Sequence, residues 1–191
     1  MKSLTAAAKE QEEGEEPYIQ WPVLQSLSLE DNQIKELASI SVCPALRYLD
    51  LSDNNITSIA EDFDGHPNLI ELDLGINQLT SLAKMGGMPS LKRLQLNSNK
   101  LKELTGLEAM SSLTYLCLKG NVITGFEEGF PEFENLYELD LSGTMISKIS
   151  EIEKLAVLPN LKVLRIKKTF FVENNLDNYI YQILSKLMKL E

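Results

Sequence analysis

The stretch LRYLDLSDNNITSI, Leu46 to Ile59, sets Asp50, Asp53, Asn54 and Asn55 within six positions. Oxygen-bearing side chains so close together could hold a metal, act as a catalytic pair, form a binding surface or serve a scaffold. The apolar residues between them have a rhythm of their own. Leu49 and Leu51 alternate with period two, as a strand does when it turns one face inward. Which reading holds depends on whether the stretch stands alone.

It does not. LQSLSLEDNQI starts at Leu24, LIELDLGINQL at Leu69, LKRLQLNSNKL at Leu91, LTYLCLKGNVI at Leu113, LYELDLSGTMI at Leu136 and LKVLRIKKTFF at Leu161. With Leu46 these seven starts are spaced by 22, 23, 22, 22, 23 and 25 residues. Self-similarity at such a period is the signature of a stacked repeat architecture. The pattern L-x-x-L-x-L-x-x-N-x-L is that of a leucine-rich repeat. It predicts an α/β solenoid, a curved horseshoe with a concave parallel sheet of about seven repeats and a convex side of short 3-10 or helical segments. Each unit depends on its neighbours to bury its leucines, so the repeats form one cooperative domain.

Apolar residues at three-residue steps follow each strand: Ile34, Leu37 and Ile40; Ile56 and Ile59; Leu101, Leu104 and Leu107. That step suits 3-10 turns on the convex side. The sixth unit, with Ile149, Ile152 and Leu155, spans 25 residues and has room for a helical turn or two. Pro44, Pro67, Pro89 and Pro159 precede the next strand, where a missing backbone donor is harmless. The expected layout is an acidic, flexible leader over 1–16, an N-terminal cap over 17–23, seven repeats over 24–172 and a capping helix over 173–191. Trp21, the one tryptophan, is expected to pack in that N-terminal cap.

The asparagines at the repeat's N position, Asn32, Asn54, Asn77, Asn99 and Asn121, are expected to bond backbone groups of neighbouring turns. Thr144 and Thr169 stand at the same position in the last two units, and a hydroxyl offers fewer bonds. Catalysis is not expected. His66 is the only histidine and sits in a proline turn with no partner that the period brings beside it. No phosphate loop, zinc spacing or calcium loop is present, so neither a metal nor any other cofactor is expected.

Function then falls to the outward strand positions of the concave face. The repeat brings Tyr48, Asp50, Glu71 and Asp73 together as an acidic patch with an aromatic beside it. Arg93, Tyr115 and Lys119 follow, then Glu138 and Asp140, then Arg165. Tyrosine and arginine are frequent binding anchors, and mixed charge favours selective partners. The expected partner is another protein, with a basic segment suited to the acidic patch. The formal charge of −10 argues against nucleic acid and anionic membranes. No apolar run reaches a membrane span, and the first residues lack a secretory h-region. Cys43 and Cys117 lie far apart and read as free thiols of a reducing compartment. The chain is therefore expected to be intracellular and monomeric on its own.

The sequence resembles the intracellular, short-repeat class called sds22-like, over about Val23 to Glu191. The segment NYIYQILSKLMKLE is similar to the cap that closes that class. LTGLEAMSSL and ISEIEKLAVLPNLKVL are similar to axonemal members, the leucine-rich dynein light chain and the radial-spoke-stalk protein. LDLSGTMISKISEIEKL and NNLDNY resemble the acidic leucine-rich nuclear phosphoproteins, and the class also includes a phosphatase regulator. The resemblance implies a scaffold of axonemal or cytoskeletal assembly in the cytoplasm or cilium. The alternatives are a phosphatase regulator or inhibitor, or a nuclear regulator.

Overall fold

A computed structural model describes residues 20–169 of the chain. Seven three-residue strands form one parallel sheet: β1 Ser26–Ser28, β3 Tyr48–Asp50, β5 Glu71–Asp73, β6 Arg93–Gln95, β7 Tyr115–Cys117, β8 Glu138–Asp140 and β9 Val163–Arg165, in that spatial order. The register follows the repeat without a slip, so Leu27, Leu49, Leu72, Leu94, Leu116, Leu139 and Leu164 stack in one column. From Leu49 to Leu139 these leucines are buried, and each contributes on the order of 1.5–3 kcal/mol.

A second apolar column seals the underside. Leu46, Leu69, Leu91 and Leu113 donate their N–H to the carbonyls of Cys43, His66, Met88 and Met110 at 3.0, 3.3, 3.0 and 3.1 Å, closing a turn before each strand. Pro44, Pro67 and Pro89 occupy the second position of these turns, where a fixed φ favours closure. His66 takes a place that sulfur-bearing side chains fill in the flanking units. It is 3% exposed, and its Nε2 donates to the Cys43 carbonyl at 3.0 Å. The expectation that it lacks a partner is thus corrected: a buried ring can reach the preceding turn. Its Nδ1 is buried without one.

The three-residue steps of the convex side appear as single turns, such as Cys43 N–H to Ile40 O at 3.0 Å and Met85 N–H to Leu82 O at 2.8 Å. Two convex segments, β2 Glu36–Leu37 and β4 Ser58–Ile59, pair instead as a small parallel sheet, a feature the period did not suggest. In the longer sixth unit the chain does coil, into α1 Ile149–Glu153 and a 3-10 turn over Lys154–Val157. Glu151 pins this coil to the preceding unit. Its Oε2 accepts from Phe126 N–H at 2.7 Å and from Lys154 Nζ at 2.9 Å, while Lys154 Nζ also donates to Phe126 O at 2.7 Å. Gly125 leaves room for the carboxylate, because a Cβ there would stand 2.8 Å from Oε2.

Where the chain leaves each strand, the asparagines join the units. Asn77 Oδ1 accepts from Ile56 N–H at 2.9 Å, and Nδ2 donates to Leu51 O, Leu74 O and Gly75 O at 3.0, 3.2 and 3.0 Å. Asn54, Asn99 and Asn121 repeat the arrangement on Ile34, Leu79 and Leu101 N–H. Among the described residues, the side chain of Asn32, in the first unit, bonds within its own turn, to the Leu29 and Glu30 carbonyls. Thr144 reaches one carbonyl, Leu141 O, at 2.7 Å. Thr169 donates to Ile166 O at 3.1 Å.

The residue before each of these seven positions has a positive φ: Asp31, Asp53, Ile76, Ser98, Gly120, Gly143 and Lys168, between 52° and 69°. Glycine and short polar residues suit that conformation. Ile76 does not, since a β-branched side chain there carries strain of about 1–2 kcal/mol.

Trp21, expected to pack, is 56% exposed and is held through its backbone, with N–H to Val42 O at 2.8 Å. Its ring has no counterpart in the repeat, and the edge unit beneath it is thin, with Leu27 only partly buried. The expected leader, residues 17–19 of the N-terminal cap, the last residues of the seventh repeat and the capping helix lie outside the described residues.

Asn77→Ala is expected to leave Ile56 N–H buried and unpaired, since the carbonyls of Leu51, Leu74 and Gly75 keep other donors. Urea denaturation should register a loss of about 2–3 kcal/mol. Burial pushes the Glu151 carboxyl up, but the Phe126 amide and the Lys154 ammonium outweigh it and hold it below the ordinary value. A lowered folded-state pKa adds stability above the unfolded pKa and loses it as pH falls through the folded one. Glu151→Gln should therefore cost about 1–3 kcal/mol at pH 7 and progressively less in acid, as followed by denaturation across pH.

Candidate binding surface

Two rows of side chains line the concave face, set by the strand register. One runs Ser26, Tyr48, Glu71, Arg93, Tyr115, Glu138, Val163; the other runs Ser28, Asp50, Asp73, Gln95, Cys117, Asp140, Arg165. The structure thus places Tyr48, Asp50, Glu71, Asp73, Arg93, Tyr115, Glu138, Asp140 and Arg165 on this face. Lys119 lies two residues past the end of β7 and is exposed, on the rim rather than on the sheet. The three-residue strand is too short to carry it.

The first row is neutralised across units. Arg93 Nε donates to Glu71 Oε1 at 2.6 Å, and its guanidinium lies 4.0 Å from the centre of the Tyr115 ring. Glu138 is paired diagonally, by Arg165 of the second row. The second row does something the sequence reading missed. Asp50, Asp73 and Asp140 turn one carboxylate oxygen back to the amide two residues on, at Ser52, Gly75 and Ser142, with distances of 2.9, 2.8 and 2.8 Å. Aspartate at the end of a strand closes the exit turn in this manner. Its recurrence two residues before Ser52, Gly75 and Ser142, as Asp-Leu-Ser or Asp-Leu-Gly, was the available signal. Cys117 sits in this row but is buried, and burial raises its thiol pKa, as it does that of Cys43. Both cysteines are free.

No cation among the described residues forms an ion pair with Asp50, Asp73 or Asp140. Around the first two, the sheet makes a shallow hollow of about 300 Å³, bordered by Ser26, Ser28, Tyr48, Glu71 and Gln95. Burial raises the pKa of Asp73, and the negative charges of Asp50 and Glu30 add to this. The Gly75 amide and Gln95 Nε2, which donates to Oδ2, oppose the shift without cancelling it. The expected acidic patch is therefore a single concave feature. Among the described residues, no three His, Cys, Asp or Glu side chains gather as a metal site, and no helix is long and apolar enough to cross a membrane.

An open, polar concave sheet on a repeating parallel solenoid defines a class of interaction scaffolds. The chain belongs to the leucine-rich repeat family: the model of that repeat matches residues 22–79, 44–101 and 67–123, together more than half of the chain. It is similar to a putative disease resistance protein of Arabidopsis thaliana, 32% identical over 73% of this chain and 14% of that protein. A probable disease resistance protein of the same plant is 33% identical over 77% of this chain and 15% of its own length. The chain spans about one seventh of the length of these curated relatives.

Among solved structures, an internalin (inlF) of Listeria monocytogenes has a TM-score of 0.63 at 22% identity, covering 88% of this chain and 46% of that one, a likeness of fold alone. YopM of Yersinia enterocolitica has a TM-score of 0.54 at 31% identity, over 73% of this chain and 27% of that one. TLR13, solved in complex with ssRNA13, has a TM-score of 0.64 at 27% identity, over 76% and 21% of the two chains. Leucine-rich repeat proteins generally act as protein–protein interaction scaffolds and are typically non-enzymatic.

Asp73→Asn keeps the shape and the acceptor for Gly75 while removing a charge whose folded-state pKa is raised. A raised carboxyl pKa makes the folded chain bind protons more readily, so the charge costs stability as pH rises through the unfolded and then the folded pKa. The variant should be more stable than the parent at pH 7 by less than about 1 kcal/mol, because solvent screens a half-exposed group. That advantage should vanish at pH 3 in parallel urea titrations.

Proposed function

We propose that this chain is a non-enzymatic scaffold that holds a protein partner against its concave face within an axonemal or other cytoskeletal assembly. The observation that carries the binding reading is the sheet itself. Seven strands present aromatic and charged side chains in register, and most of these are not used to bury the core. The Glu71–Arg93–Tyr115 cluster holds an arginine in place, which lowers the entropy lost when a partner docks. The axonemal assignment rests on the similarity of LTGLEAMSSL and ISEIEKLAVLPNLKVL to axonemal members of the sds22-like class. On this reading the chain works in the cytoplasm or cilium and is monomeric until it meets its partner.

The rival reading is a regulatory subunit or inhibitor of a phosphatase, or a nuclear regulator like the acidic leucine-rich phosphoproteins. The net charge of −10 and the unpaired aspartates of the concave face suit a regulator that masks a basic surface. Affinity capture of the tagged chain from ciliated cells separates the two. Dynein or spoke components should be recovered, and the double variant Arg93→Glu, Tyr115→Ala should reduce recovery at least tenfold while circular dichroism stays unchanged. Recovery of a phosphatase without axonemal components would overturn the axonemal assignment. Undiminished capture by the variant would overturn the concave face as the site.

A further inference from the structure

Six of the seven exit turns have glycine, aspartate, serine or lysine where the backbone turns left-handed, and one has Ile76, at φ 52°. A β-branched residue in that conformation is a steric misfit. The cost would be understandable if the side chain filled the core, but Ile76 is 51% exposed. Strain kept at an exposed position points outward, to something the chain meets.

Its neighbourhood says what that is. Asp73, three residues earlier, borders the concave hollow with Asp50 and the 43%-exposed Tyr48. Gly75 lies between, buried, and a Cβ on it would stand 3.0 Å from Asp73 Oδ1 and 2.7 Å from Asn97 Oδ1, so no side chain separates the hollow from the rim. Farther along the same face, the chain shows how such groups receive a guanidinium: Arg93 is gripped by Glu71 and lies over Tyr115. Among the described residues, Tyr48 has no arginine of its own. A planar cation suits a carboxylate beside an aromatic face better than an ammonium does.

We propose that Ile76 is a partner contact retained against the folding preference of its turn, and that the partner segment carries an arginine for the Tyr48–Asp50–Asp73 hollow with an apolar side chain beside it for Ile76. This rests on the concave face being the binding surface. The segment crosses from the sheet over the rim at the third repeat, and charge sets where it sits while Ile76 reads its apolar residue.

The probes are three fluorescein-labelled hexapeptides, alternating Arg-Leu, Arg-Ser and Glu-Leu, measured by fluorescence anisotropy at two salt concentrations. The Arg-Leu peptide should bind most tightly, and less so at high salt. Ile76→Asn should weaken Arg-Leu at least fivefold, leave Arg-Ser within twofold, and raise the thermal midpoint by about 2–4 °C. The pair Asp50→Asn, Asp73→Asn should weaken both arginine peptides at least tenfold. The pair Glu127→Gln, Glu128→Gln removes the same charge from an exposed convex turn and should change neither beyond twofold. A lower midpoint for Ile76→Asn would mean the isoleucine serves the fold, and unchanged Arg-Leu binding would remove its recognition role. Equal weakening by the convex pair would mean attraction to net charge alone. If these fail while Arg93→Glu, Tyr115→Ala still loses its cellular partner, the concave reading stands and the partner has another chemistry.

Discussion

The side-chain amide of the repeat asparagine is the constraint on which the rest of the solenoid depends. A stack of three-residue strands pairs few of its own backbone groups, and the exit turns would bury donors and acceptors without partners. Each inner asparagine offers one acceptor and two protons, and the turn places N–H and C=O groups of two successive units around them. Leu51, Leu74 and Leu96 carbonyls each serve the asparagine of their own unit and that of the next. Strand register, turn geometry and the left-handed residue before the asparagine are fixed together by this arrangement. The leucine core supplies most of the free energy, but apolar contacts alone would tolerate sliding.

Much of this could be read from residues alone. Seven registrations of one pattern gave the sheet, its order and its inward leucines, because a period-two strand inside a 22-residue unit admits few other solutions. The asparagines and their threonine replacements were legible for the same reason. The left-handed column was present in the sequence as Asp31, Asp53, Ser98, Gly120 and Gly143, although it is recognised as a column only beside the backbone. What escaped were features set by tertiary contact. The β2–β4 pairing arises where two adjacent units both have extended convex segments. The burial of His66 and Cys117 depends on neighbours that no local pattern names, and Trp21 lies on an edge outside the repeat's rules. On the concave face the chemical identity of each position was legible, whereas the division of its charges into paired and unpaired was not.

That division gives the surface its character. Arginines 93 and 165 are each committed to a glutamate of the neighbouring unit, so the central and C-terminal parts of the sheet present charge already held in place. The aspartates at strand ends serve two purposes, one oxygen closing the exit turn while the carboxylate still contributes its negative potential to the face. Structural duty and recognition are thereby shared by the same side chains. A surface of this kind is stiff, and stiffness favours discrimination among partners over adaptation to many.

The change from asparagine to threonine at positions 144 and 169 also gives the solenoid a direction. A hydroxyl has one proton to give, and Thr144 gives it to Leu141 of its own turn, so the lateral coupling that runs unbroken from Asn54 to Asn121 is thinner beyond it. A chain coupled only between nearest neighbours melts from its weakest junction, in the manner of a zip with one loose end. The acidic hollow lies at the opposite end from that junction. The acidic hollow can thus keep its shape while the units beyond that junction breathe.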